Sequence, residues 1–177
     1  LLPLPVETQL WISSKNDMLK ERLTERNSSK RRGIFWSRKL IVRKLLMEKT
    51  SYGFRRELDV SYQEAIKKVT EALKQEDFGV LTEIDVQAVL KKKLDVDFRP
   101  YVILGACNPP LAYQSLQAER EIGLLLPCNV IVYQGDSGKT VVSAIDPVAA
   151  MSMIENEKLP EIASQVAQKL RRVIESL

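Results

Sequence analysis

The chain has no histidine, and only two cysteines and seven glycines among 177 residues. Without an imidazole there is no Ser-His-Asp or Cys-His nucleophile pair, no His-ligated zinc, no proximal-His haem and no His-based proton transfer. Cys107 and Cys128 stand 21 positions apart. That spacing makes neither a disulfide framework nor the four-ligand pattern of a structural zinc site. No metal-ligand set is read from the sequence, and sparing cysteine use fits a reducing, cytoplasmic setting. Long apolar runs are missing too. A spanning helix needs about 20 apolar residues, and Arg43 and Lys44 interrupt the longest candidate. No transmembrane segment is expected, and the unbroken apolar core of a secretory signal is absent.

Two familiar-looking motifs fail on chemistry. Gly135-Asp136-Ser137-Gly138 copies the surroundings of a protease nucleophile, but no histidine exists to take the hydroxyl proton, so Ser137 reads as a turn residue. Gly138-Lys139-Thr140 resembles the end of a phosphate-binding loop. The glycine required five positions earlier is Tyr133, so the nest of amides cannot form.

Charge divides the chain. Residues 1–46 carry eleven Lys and Arg against four Asp and Glu, and residues 47–177 carry sixteen against nineteen. Both tryptophans, Trp11 and Trp36, lie in the first part. Residues 1–46 are expected to be a disordered basic leader, read as sequence upstream of a native start at Met47. The sharper alternatives are an interfacial helix, a nucleic-acid arm or an Arg- and Ser-rich transit peptide. Residues 47–177 are expected to form a single, mildly acidic globular domain. Phosphate recognition needs clustered cations on the folded surface, so no nucleic-acid partner is expected for this part.

From Met47 onward the pattern is punctuated. Tyr52 to Val60 alternates as a half-exposed strand, and Ser61-Tyr-Gln-Glu64 forms a capping box before a helix with Tyr62, Ile66, Val69 and Leu73 on one stripe. Val80 to Ile84 reads as a strand, Asp85 as the cap of a helix to Leu94, and Tyr101 to Cys107 as a strand buried on both faces or nearly so. Asn108 caps a helix running to about Arg120, with Pro109 and Pro110 in its first turn. Cys128 to Tyr133 and Thr140 to Ile145 make a hairpin, Asp146-Pro147 starts a short helix, and Leu159-Pro160 opens an amphipathic last one. The tight hairpin favours an α+β domain with a largely antiparallel sheet of about five strands. The pairs Glu83/Asp85 and Asp95/Asp97 are assigned to a solvated face or to helix caps.

The cysteines remain, each followed by asparagine: Cys107-Asn108 closes one strand and Cys128-Asn129 opens the next. If those strands are antiparallel neighbours the thiols meet; if parallel, about seven residues at roughly 3.3 Å each hold them over 20 Å apart. Two small buried hydrophobes are one reading. A soft two-coordinate metal site or a reversible redox pair is the other.

Phe78-Gly-Val-Leu-Thr82-Glu-Ile-Asp85, Asp97-Phe-Arg-Pro-Tyr101, Gly105-Ala-Cys-Asn-Pro109 and Leu124-Leu-Leu-Pro-Cys-Asn-Val130 closely resemble the domain-of-unknown-function family 302. The likeness covers about Met47 to Leu177. It implies a small α+β domain of TATA-binding-protein-like architecture, with a curved antiparallel sheet, helices packed on it and often a homodimer, and it supports the neighbouring-strand arrangement. The family has no settled biochemical role, so no catalytic residue or cofactor follows. The expectation is a non-enzymatic, cytoplasmic homodimer that binds a small ligand or partner at Cys107, Asn108, Cys128 and Asn129. A thiol redox or soft-metal site at Cys107 and Cys128, and a plain dimeric assembly module, are the alternatives.

Overall fold

The structure, a computed structural model, describes residues 47–177. They belong to a single compact unit. The expectations for residues 1–46 lie outside the described residues. In chain order the elements are β1 (Met47–Lys49), β2 (Gly53–Leu58), α1 (Tyr62–Gln75), β3 (Gly79–Asp85), α2 (Val86–Leu94), β4 (Tyr101–Cys107), α3 (Pro109–Ala118), a 3-10 turn (Arg120–Leu125), β5 (Cys128–Gln134), β6 (Thr140–Ile145), α4 (Pro147–Met151) and α5 (Leu159–Ser176). The strands form one sheet in the order β1-β2-β6-β5-β4-β3, and every neighbouring pair is antiparallel. The fold is α+β. The sheet has six strands rather than about five because Met47–Lys49 pairs with β2, a ribbon too short to announce itself by alternation.

Side chains alternate across the sheet, so one register sorts all the strands into two faces. Phe54, Leu58, Val102, Leu104, Ala106, Val130, Val132, Val142 and Ala144 share one face and are buried together with the apolar stripes of α1 and α5. Helix α5 buries eight residues along its 18, among them Leu170, Val173 and Ile174. Fully burying an aliphatic side chain contributes roughly 1.5–3 kcal/mol, so this one helix supplies much of the hydrophobic driving force. On the opposite face Tyr101, Ile103, Ile131, Tyr133 and Ser143 are half-buried. Strand β4 is thus sealed on one side only, a correction to the doubly buried strand its unbroken apolar run suggests.

Four helices start on a side-chain cap: Ser61, Asp85, Asn108 and Asp146 accept from the amides of Glu64, Ala88, Leu111 and Val148. Of the expected capping box, the half made by the Ser61 hydroxyl is present, while the Glu64 carboxylate reaches forward to Lys68 at 3.2 Å. On β2, Arg56 has the core-facing parity and is buried. Its guanidinium donates to the backbone carbonyls of Ile174 and Glu175 at the end of α5, while Arg171 lies over the Phe54 ring at 5.1 Å.

Candidate functional site

Strands β4 and β5 are antiparallel neighbours, with Ala106 opposite Cys128, so Cys107 and Cys128 come to the same sheet end. Both thiols are free, Cys107 half-buried and Cys128 buried. Cys107, Asn108 and Cys128 are among the residues lining one cavity of about 20 Å³, although the alternation of β4 sends Cys107 to the face opposite Cys128. Asn129 is not part of its lining; it lies exposed on the other face of the sheet, opposite Gly105. Gly105 is crowded there, because a Cβ would run into the Thr82 hydroxyl and come within 2.7 Å of the Pro127 ring.

Asn108 is fully engaged. Its carbonyl oxygen accepts from the Leu111 amide at 3.2 Å, and its amide nitrogen donates to the carbonyls of Glu76 and Asp77 at 3.4 and 3.2 Å. The side chain ties the start of α3 to the end of α1, where Asp77 adopts a left-handed φ of 64°. The same corner is closed by Arg172, which donates to both Glu76 carboxylate oxygens at 2.8 and 2.7 Å, and by Lys169 at 2.9 Å from Asp77. The Arg172 hydrogen bond holds the Glu76 carboxyl below the usual carboxylate range.

Burial sets the chemistry of the thiols. It raises Cys107, and it pushes Cys128 up to about 11, with the neighbouring Cys107 adding to the rise. Both are therefore thiols rather than thiolates near neutral pH, which disfavours nucleophilic or exchange chemistry. A cavity of about 20 Å³ holds a single ion or water and no organic ligand. Among the described residues no group of three or more His, Cys, Asp or Glu is placed to hold a metal ion. The cavity lining does include a third sulfur, Met151 at the end of α4, which sequence reasoning missed. A lone Met carries no motif signal, because methionine is also a general gap filler of cores.

A second candidate surface lies on β3 and α2. From Leu81 to Arg99 no residue is buried, and only Val86 and Leu90 reach half-burial. Leu81, Ile84, Val89, Leu94, Val96 and Phe98 stand 40–65% exposed. Strand β3 ends the sheet and has β4 as its sole partner, with a register shift between Val80 and Thr82. Phe98 reaches Tyr101 at 6.2 Å between ring centroids, and Tyr101 stacks on Tyr133 at 5.3 Å. The segment carries both charge signs. Lys91 is held by Asp95 and Asp97 at 2.9 and 3.1 Å, while Lys92, Lys93 and Glu83 make no ion pair among the described residues. Glu83 and Asp85 face the Tyr62 phenol, whose pKa is raised by burial first and by these two carboxylates next.

The fold and the buried thiol corner thus define a class: a small α+β protein built on one antiparallel sheet with helices against one face. Residues 54–177 match the model of the domain of unknown function DUF302, and the chain belongs to this family. It is similar to a crystal structure of an uncharacterized conserved DUF302 protein from Bacillus stearothermophilus, at 32% identity and a TM-score of 0.66, over 71% of this chain and 97% of that one. No functionally curated protein matches it. Among the described residues, no helix is long and apolar enough to cross a membrane.

Proposed function

We propose that the chain works as a non-catalytic, self-associating module in which two copies meet through β3 and α2. The observation that carries this is the run from Leu81 to Arg99, where six large apolar side chains stay open to solvent: Leu81 and Ile84 on β3, Val89 and Leu94 on α2, and Val96 and Phe98 in the loop that follows. Contiguous apolar surface beyond a few hundred Å² marks an interaction site. A second copy fits because the segment is self-complementary in charge: a twofold axis sets Glu83 and Asp85 of one copy against Lys92 and Lys93 of the other. The bulge near Leu81 twists the edge away from direct strand pairing, so side chains rather than backbone ladders make the contact.

A small ligand at Cys107, Asn108, Cys128 and Asn129 has less support, since the cavity is ion-sized and Asn129 faces away from it. Thiol redox at Cys107 and Cys128 has less support because burial keeps both protonated. The test is sedimentation equilibrium of the full chain and of a Leu94→Asp/Phe98→Asp variant. The expected result is a dimer that becomes a monomer with an unchanged circular dichroism spectrum. A monomeric parent, or a variant that dimerises as well as the parent, overturns the proposal.

A further inference from the structure

The large apolar side chains most open to solvent among the described residues are Leu124, 83% exposed, and Met153, 75% exposed. Neither sits on a loose end. Ile122, two residues before Leu124 on the 3-10 turn, and Met151, two before Met153 at the end of α4, are buried in one satellite core with Leu159 and Ala163 of α5. The segment after α4 is pinned to the end of α3, where the Asn156 amide nitrogen donates to the Ala118 carbonyl at 2.9 Å. A Cβ at Gly123 would meet nothing within 4 Å, so the space beside Leu124 is open among the described residues. A fixed framework thus holds apolar side chains outward at one corner of the molecule.

The same corner is acidic. Glu119 and Glu121 flank Arg120 at the start of the 3-10 turn, Glu155 and Glu157 flank Asn156, and Glu161 lies in the first turn of α5, with Arg120 and Lys158 as the cations among them. These carboxylates make no ion pair among the described residues, whereas the exposed Asp59, Asp95, Asp97 and Asp136 each hold a Lys or Arg. We propose that this corner docks a basic amphipathic helix of a partner protein. Such a helix presents an apolar stripe with cations beside it, and Leu124 and Met153 meet the stripe while the carboxylates meet the cations. The flexible Met153 thioether adapts to the contour it meets. Opposite charge around the contact steers encounter and fixes orientation. An anionic membrane carries the charge sign of the corner itself. A twofold contact with a second copy would set these acids against one another. The corner shares no residue with the run from Leu81 to Arg99, so it does not depend on self-association there.

The experiment is fluorescence anisotropy of a labelled Leu/Lys amphipathic peptide of about five helical turns, titrated with the full chain, and of a Leu/Glu peptide of the same pattern. Saturable binding of the Leu/Lys peptide that weakens as salt is raised, and none of the Leu/Glu peptide, is expected. Leu124→Ser/Met153→Ser and Glu121→Lys/Glu157→Lys should each weaken binding about tenfold or more, the scale of an interface hot spot, with the melting temperature of the parent kept. No binding by the full chain, or either double variant binding like the parent, overturns the assignment. So does binding to phosphatidylserine vesicles that Leu124→Ser/Met153→Ser abolishes, which makes the corner a membrane surface. Conversion of a dimer to a monomer by that variant makes it a contact between copies and overturns it too. The Leu94→Asp/Phe98→Asp variant should bind the peptide as the parent does; loss of binding there would move the peptide to β3 and α2 and overturn this proposal while self-association stands.

Discussion

Strands β3 and β4 are neighbours in one sheet and both are rich in aliphatic residues, yet their fates differ. Val102, Leu104 and Ala106 of β4 are sealed under α1 and α5, whereas on β3 only Val80 joins the core, and Leu81 and Ile84 face solvent. The same contrast holds for helices. Helix α5 buries eight residues and α2 buries none, although α2 carries Val86, Val89, Leu90 and Leu94 at helical spacing. Apolar patterning says that a face is to be covered; it does not say by what. Around the central strands the cover is intramolecular, and along β3 and α2 the described residues supply none.

The sharpest way to test the covered half is Phe54→Ala. Phe54 is fully buried on β2 beneath Arg171, and the substitution is expected to cost about 3–5 kcal/mol, read as a lower urea midpoint. A cost below about 1 kcal/mol would mean that the core is loose and the contrast with α2 is unreal. Next is Asn108→Ala, which removes a helix cap and takes the side-chain donor from the Asp77 carbonyl, while the Glu76 carbonyl keeps Lys169 at 3.2 Å; about 1–3 kcal/mol is expected. Unaltered stability would show that the corner near the thiols is held by Arg172 and Lys169 alone.

Glu76→Gln probes that ion pair and should cost at most about 1 kcal/mol, since half of the Arg172 side chain is open to water. Because the folded carboxyl is lowered, its contribution is fully present above the unfolded glutamate range near about pH 4.3 and disappears as pH falls through the lower folded value. Parent and variant should therefore differ at neutral pH and converge in acid; a gap that widens on acidification reverses the sign and refutes the assignment. The smallest effect belongs to the open half. Val89→Ser on α2 should leave the stability of the isolated protomer within about 0.5 kcal/mol of the parent, measured at a concentration where association is absent. A large loss there would place α2 inside the cooperative core.

Much of this architecture was readable from local chemistry. The Ser61, Asp85 and Asn108 caps hold the amides that their positions suggested, a short helix starts at Asp146-Pro147 as read, and β4 and β6 have the bounds read from their residues. Such features depend on a few consecutive residues. What escaped depends on distance along the chain. Arg56 lies between Phe54 and Leu58 on the core-facing parity, and the carbonyls that it meets belong to α5, 118 residues later. Met151 acquires meaning once α4 swings beside Cys128. The half-open side of β4 was hidden because Tyr101 and Ile103 are apolar enough to suggest burial. In the candidate site, the arrival of both cysteines at one sheet end followed from antiparallel topology, while the alternation of β4 and β5 places Cys107 and Asn129 on the face opposite Cys128.

The strand order also dictates when the protein can finish folding. Strand β2 is laid against β6, with Gly53 opposite Ile145, so its inner edge waits for a stretch about ninety residues further on. During synthesis the β3–β4–β5–β6 meander can zip as each turn emerges from the ribosome, but β2 must be kept from sticking elsewhere until the last strand is made. A circular permutation that opens the chain between α1 and β3 would place β2 after α5, so that β6 is already made when β2 emerges.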